Sequence, residues 1–401
     1  MIAASAIAQT PDDLFNPEVL HEIRLFADPR DWASLRINYE LNTYYAADMV
    51  WLFDGREILT EQVGIRSRGL GSRNSFKPGL LIDFNRYNET LLFLGLRSIV
   101  LRNNAQDASM MREHLGMTFF RRMGIPAPRT SFARLFVNGE YAGLYTVVES
   151  IDTDFIQRHF GQQNGYLYNY DYGILDPPYF FEYRGLDPGL YSPRPFQPEN
   201  HKRDPNAAPI EAMIRTMNQA SDEEFFAAMS QYLDMPGFVR YLAIESFLAE
   251  QDGIVGDFGL NNFYLYRFEG SNRSQFIPWD KSQVFVSIDR EFFRNIHSNV
   301  LAWRALAVPE LRAAYVNGVL ESAASAGGPG GWLEQEIARV YAQIGDAVRT
   351  DPKKLCYGAG VPSFVDCSNE EFEASAAFLM QFARERNDFL MKELFPPANQ
   401  P

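Results

Sequence analysis

The chain reads as an α+β protein of two lobes, strand-rich first and mostly helical after. Three observations lead there. Between residues 22 and 85, β-branched and aromatic residues cluster in short runs separated by turn residues. One isolated stretch, 107–123, carries apolar residues at helical spacing. From about residue 290 the pattern is helical almost to the end of the 401 residues.

The runs EIRLFA, MVWLFDG, QVGIRSRG and GLLIDFN supply the early strands. In 107–123, Asp107 is placed to cap a helix, and Met111, Leu115, Phe119 and Met123 form its apolar face. Gly124 stops that helix, and Pro126 and Pro128 prevent a restart. SFARLFV and AGLYTVVES then flank Asn138-Gly139, a strong two-residue hairpin signal. A short helix follows over 154–160. Residues 172–208 are rich in Pro, Tyr and Asp without periodicity, which predicts a long functional or flexible loop. Helical patterns resume at 209–230 and 236–250, and the strands NFYLYRF and QFIPWD flank the polar turn EGSNRS. This gives an N-terminal tail over 1–17, a strand-rich lobe over 18–150 and a helical lobe over 151–395, within one domain.

With 46% hydrophobic residues the chain has ample material for a core. A net charge of -14 disfavours nucleic acid and anionic membrane surfaces and favours cationic partners or metal-bridged anions. No stretch approaches the ~20 apolar residues of a membrane span. The start, MIAASAIAQ, resembles the trimmed remnant of a secretory leader, with AIAQ as a small-residue cleavage site. Cys356 and Cys367 lie eleven residues apart in one late loop, either as free thiols or as a local disulfide in an oxidising compartment. The five histidines are scattered and neither CxxC nor HExxH occurs, which argues against a zinc site.

The chemistry concentrates around QDGIVGDFGLNNFYLY, residues 251–266. Phosphoryl transfer needs a glycine turn and a cation for phosphates, a carboxylate to orient the attacking hydroxyl, and an Asn and an Asp for divalent metal. The chain offers these in order: Gly69, Gly71 and Ser72, then Lys77, then the helix bearing Arg112 and Glu113. The hairpin ending at Glu149, the pair Asp252 and Asp257, then Asn262 and Asp280 complete the series. Each has a plain structural alternative, such as an Asx turn for the two loop aspartates or a solvated edge charge for Lys77. Asp280 is harder to set aside, because FIPWD ends an apolar strand where a buried carboxylate is costly without a partner. The triplet D-F-G at 257–259 is a false friend, since the strand–turn–strand that ends at Asp280 already supplies the metal aspartate.

The ordered series resembles the CotH family, the spore coat protein H kinases, which are atypical protein kinases. The likeness runs from about residue 18 to 285 and lies in VGIRSRGLGS, FKPGLLIDFNRY, LGLRSIVLRNN, DASMMREHLG, MGIPAPR, VNGEYAGLYTVVESID, NGYLYNY, NNFYLY and FIPWD. One departure falls in the glycine turn, where RGN-S-S of the family is replaced by Arg68-Gly69-Leu70-Gly71-Ser72. The resemblance implies a two-lobed kinase-like fold, ATP with Mg2+ or Mn2+, and phosphorylation of Ser or Thr in secreted, coat or cell-surface proteins outside the cytoplasm. A catalytically quiet adhesin or coat scaffold on the same fold is the alternative. By position, Asp280 resembles the metal aspartate, Asn262 the second metal ligand and Lys77 the phosphate lysine assisted by Arg68. Gly69, Ser72 and Glu113 fall on the nucleotide side, and Glu149 marks the adenine end. For the catalytic carboxylate, the Asp-x4-Asn interval favours Asp257. The helix-to-loop junction favours Asp252, the preferred choice because loop lengths vary more readily than such junctions.

Overall fold

The computed structural model describes residues 9–171, 178–357 and 363–396. The segment read as a leader remnant therefore lies, up to residue 8, outside the described residues, as does 172–177 of the long loop. The chain divides into two compact units. One comprises the chain through His114, Arg129–Ser150 and Arg339–Ala376; the other comprises Leu115–Pro128, Ile151–Ala338 and the chain from Ala377. The stretch 151–395, expected as one helical lobe, is thus shared between them.

In the first unit seven strands form a closed barrel: β1 (Leu20–Ala27), β2 (Tyr45–Phe53), β3 (Arg56–Ser67), β4 (Leu80–Asp83), β5 (Ser98–Arg102), β6 (Thr130–Val137) and β7 (Glu140–Glu149). The order is β1-β2-β3-β4-β5-β7-β6, and a parallel β1–β6 pairing closes it. Closure leaves no strand edge unpaired. Alternating residues such as Ile23, Leu25, Met49, Trp51, Val63, Ile65, Leu80 and Ile82 fill the interior. The Asn138-Gly139 turn forms as expected, both residues having positive φ, and Asn138 Oδ1 accepts the Ala27 N–H at 2.9 Å, tying the turn to the end of β1.

The helix Arg112–Arg122 starts later than the pattern predicts, because Asp107 anchors its entry from five residues upstream. Its Oδ2 accepts the Arg112 N–H at 2.8 Å and its Oδ1 the Ser109 N–H at 2.9 Å. The short helix expected over 154–160 forms as Thr153–Phe160, capped by Asp152 and ended by Gly161.

The second unit holds a four-stranded sheet of order β11-β10-β8-β9, built from β8 (Tyr166–Tyr170), β9 (Phe196–Pro198), β10 (Phe263–Arg267) and β11 (Ser274–Pro278). The strand β9 falls inside the supposed loop; at three residues, ending on proline, it is too short to show alternation. The helix Met235–Phe247 is buried nearly all round, which its continuous apolar sequence requires. Late helices occupy Val300–Ala307, Pro309–Ala326, Trp332–Arg349 and Asn369–Leu394, interrupted by a hairpin of β12 (Leu355–Tyr357) and β13 (Phe364–Asp366).

Candidate functional site: an acidic loop beside the β10–β11 hairpin

In the second unit, the helix Met235–Phe247 runs into the loop 251–262, which feeds β10. Asp252 anchors that loop. Its Oδ1 accepts Asn261 Nδ2 at 2.9 Å, and its Oδ2 accepts Asn262 Nδ2 at 3.0 Å. Asn262 Nδ2 also reaches the Asp252 carbonyl at 2.9 Å, and the Asp252 N–H donates to Glu250 Oε1 at 2.9 Å. Asn262 and Asp280 flank the open end of the hairpin, where Phe263 pairs with Pro278. Both have positive φ, 58° and 49°, a conformation that non-glycine residues hold only where the surroundings enforce it. Here the Trp279 N–H donates to the Asn262 carbonyl at 3.1 Å, and Asp280 Oδ1 accepts the Ser282 hydroxyl at 2.9 Å.

Burial pushes the Asp252 carboxyl up to about 6, and the charge of Asp280 adds to this against the Asn261 and Asn262 hydrogen bonds. Beneath lies Lys281, with no solvent exposure, 2.8 Å from Glu245 and 3.6 Å from Glu250. Burial opposes its charge, but Glu245, Tyr241 and Glu250 outweigh it and hold the ammonium well above its ordinary range. Glu250 is pushed up to about 8, chiefly by burial and against the pull of Lys281. Glu250 therefore keeps a proton near neutral pH. Gly253 permits this packing, because a Cβ there would lie 2.6 Å from Glu245 Oε1.

Asp257 faces another set of groups. Arg290 clasps it through two nitrogens at 3.0 and 3.1 Å, Arg294 Nε lies at 2.9 Å and Asn295 Nδ2 at 2.7 Å. Partial burial raises its pKa, but these hydrogen bonds prevail and bring it down to about 2. The structure thus gathers Asp252, Asn261, Asn262 and Asp280, and it leaves Asp257 as an ion-paired pin on the far part of the loop. Sequence reasoning missed Lys281, Glu245, Glu250 and Asn261. Two glutamates in the otherwise apolar VRYLAIESFLAEQ, and a lysine directly after WD, were the available signals.

The glycine turn belongs to the first unit. Gly69 takes φ +115°, and Arg73 holds the turn through Gly69 O at 2.6 Å and Asn42 Oδ1 at 2.6 Å. Asn103 Nδ2 spans Ser72 O at 2.9 Å and Lys77 O at 2.8 Å. A small cleft beside the turn is lined by Arg68, Gly69, Ser72, Arg102 and Asn103. Arg102, at the end of β5, lies 3.5 Å from Glu113 on the helix Arg112–Arg122.

One expectation needs correction in this unit. Lys77 does not present its ammonium to a phosphate. It is fully buried, 2.7 Å from Asp351, with Nζ 5.1 Å from the Tyr145 ring centre. Asp351 also accepts the Leu144 N–H at 2.9 Å and the Lys353 N–H at 2.8 Å. Gly143 makes room for that carboxylate, since a Cβ would sit 2.5 Å from its oxygens. Glu149, expected to mark the adenine end, closes β7 with its carboxylate held by Arg129. Arg129 takes its two oxygens at 2.5 and 3.1 Å.

Fold and loop together define a protein of mixed α and β structure with an acidic, asparagine-bridged loop. The chain belongs to the CotH family: the family model described as CotH kinase protein matches residues 65–390. That match takes in the late helices, beyond the residue 285 where the visible likeness ended. The chain is 24% identical over 349 residues to inner spore coat protein H of Bacillus subtilis (strain 168), covering 83% of this chain and 87% of that protein. It is 22% identical over 309 residues to an inner spore coat protein H-like protein of the same organism, covering 75% and 82%. Among solved structures, the Helicobacter pylori proinflammatory kinase CtkA aligns at 10% identity and TM-score 0.31, over 76% of this chain and 90% of that one. The Shewanella oneidensis HipA–HipB–operator DNA complex aligns at 10% identity and TM-score 0.29, over 86% and 65%. At these scores neither structure bears on function. Among the described residues no helix is long and apolar enough to cross a membrane.

Proposed function

We propose that this CotH-family chain is an ATP-dependent protein kinase that phosphorylates serine or threonine in coat, secreted or cell-surface proteins. One observation carries the proposal most: within the family-matched span, Asp252 is hydrogen-bonded to Asn261 and Asn262 beside the carboxylate of Asp280. Asn262 spends its Nδ2 on Asp252, so its amide oxygen is the atom offered to a cation. An amide oxygen and a carboxylate are hard donors, suited to Mg2+ or Mn2+ that keep their other positions for water and phosphate oxygens. Among the described residues no three His, Cys, Asp or Glu side chains converge at this loop, which fits an ion shared with phosphates rather than caged by protein. Bound metal would neutralise charge on the β- and γ-phosphates.

Asp252 accepts the proton of the substrate hydroxyl and orients its oxygen, with Asn261 and Asn262 fixing the carboxylate plane. Lys281 offsets the negative charge beneath the loop, so that Asp252 is deprotonated near neutral pH. Within the first unit, Arg68 and Arg102 line the cleft beside the glycine turn, where guanidinium groups and backbone N–H groups suit phosphate oxygens. The Arg102–Glu113 pair parallels the strand lysine–helix glutamate pair of protein kinases. A coat scaffold without activity would gain nothing from carboxylates raised toward neutrality in one loop. The test is mass spectrometry of the purified chain and a serine/threonine-rich protein after incubation with ATP and Mg2+ or Mn2+. A phosphoryl adduct on serine or threonine supports the proposal; a nucleotidyl adduct, a phosphorylated glycan or no adduct overturns it.

A further inference from the structure

The hairpin β12–β13 lies outside the acidic loop and carries both cysteines. Cys356 pairs across the ladder with Val365, and the Cys367 N–H donates to Lys354 O at 3.1 Å, extending the ladder by one step. Residues 365 and 367 share a face, so Cys356 and Cys367 are diagonal neighbours on one side of the sheet. Both are free thiols, 7% and 6% exposed. Their sulfurs and a Glu371 carboxylate oxygen all lie within 4.8 Å of one another. Glu371 stands in the first turn of the helix Asn369–Leu394, where it accepts the Ser368 N–H at 2.6 Å. Burial raises the pKa of both thiols, and the Lys354 ammonium offsets this only in part at Cys367. Next to Cys356, Tyr357 stacks on Phe364 at 5.0 Å and accepts Gln106 Nε2 at 3.0 Å. Its hydroxyl would lie 3.8 Å from a Cβ on Gly71, so the hairpin abuts the glycine turn.

We propose that Cys356 and Cys367 are a redox-modification site, closing into an intrachain disulfide that fixes Tyr357 beside the glycine turn. Nothing in this depends on what that turn binds. With oxidised glutathione as oxidant, one thiol gives its proton to solvent, and its thiolate attacks a glutathione sulfur, breaking the glutathione S–S bond and releasing one glutathione thiolate, which takes up a proton. The second thiol gives up its proton in turn, and its thiolate attacks the protein-bound sulfur, forming the Sγ–Sγ bond and releasing the other glutathione thiolate, which is protonated as well. Two protein thiols lose two electrons and two protons, and one glutathione disulfide becomes two thiols. Among the described residues a closed metal site finds only two sulfurs and one carboxylate here, and that carboxylate already accepts the Ser368 N–H.

The test uses the full chain, equilibrated in glutathione buffers from fully reduced to fully oxidised, acid-quenched and alkylated before intact-mass and peptide analysis. The proposal expects both thiols to disappear together, a peptide linking Cys356 to Cys367, and a monomer on a non-reducing gel. The oxidised chain should melt about 2–6 °C higher than the reduced one, with slower amide exchange at residues 69–73. Thiols that remain titratable in oxidised buffer would overturn it, as would a persistent mixed disulfide or a link between chains. So would a reduced chain that retains one zinc ion, shielding both thiols until a chelator removes it. Exchange at 69–73 equal in both redox states would remove the coupling to Tyr357.

Discussion

Replacing Lys77 by methionine separates a structural lysine from a phosphate-binding one. Both partners of the Lys77–Asp351 pair are fully buried. Removing the ammonium leaves a carboxylate among Leu144, Tyr145 and the Gly143 backbone, with only the two backbone N–H groups as partners. Breaking a buried pair by removing one member costs about 3–5 kcal/mol, a large part of the ~5–15 kcal/mol that holds a domain together. Lys77→Met should therefore lower the thermal midpoint by roughly ten degrees. Adding Asp351→Asn, which keeps an acceptor for the backbone and removes the unpaired charge, should restore at least half of the loss. Circular dichroism melts of the two variants, with nucleotide binding measured below the transition, provide the assay. A Lys77→Met chain that melts like wild type yet no longer transfers phosphate would refute the structural role and return Lys77 to the phosphates.

Three further outcomes follow from the acidic loop. Asp252→Asn should reduce kcat by about 10²–10⁴-fold, whereas Asp257→Asn should mainly lower stability, by about 1–3 kcal/mol, because its carboxylate pins Arg290, Arg294 and Asn295; a larger kcat loss for Asp257→Asn would reverse the assignment. Glu250 and Asp252 are raised on folding, to about 8 and about 6, so the folded chain binds more protons than the unfolded one between about pH 4 and 8. Their contribution to stability falls as pH rises through that window, and Mn2+ should raise the melting midpoint more at pH 8 than at pH 5; an equal shift at both would count against metal at this loop. At net charge -14, peptides with Lys or Arg flanking the acceptor should be preferred, less so as salt rises; a preference for acidic flanks would contradict this.

Local signals were legible in the sequence, and long-range ones were not. Asn138-Gly139 and the carboxylate after FIPW each act within a few residues, so composition exposes them. Lys77 read as a phosphate lysine or a solvated edge charge, because its partner is 274 residues away. Spacing favoured Asp257 for the same reason, since Arg290 and Arg294 enter from more than thirty residues downstream. Barrel closure depends on a parallel pairing of β1 with β6 across more than a hundred residues, which no alternation in either strand encodes. Glu245, Glu250 and Lys281 were visible as residue types but not as a network, because only folding brings the helix end and the residue after Asp280 together.

The most direct test of the central claim is transfer of the γ-phosphate from labelled ATP by the purified chain and by Asp280→Ala, both checked for folding. The account predicts metal-dependent labelling of serine or threonine by the wild-type chain and a loss of at least about 10²-fold in Asp280→Ala, whose phosphates lack a held cation. A wild-type chain that transfers no phosphate with either Mg2+ or Mn2+, or an Asp280→Ala chain that labels as well as wild type, would contradict it.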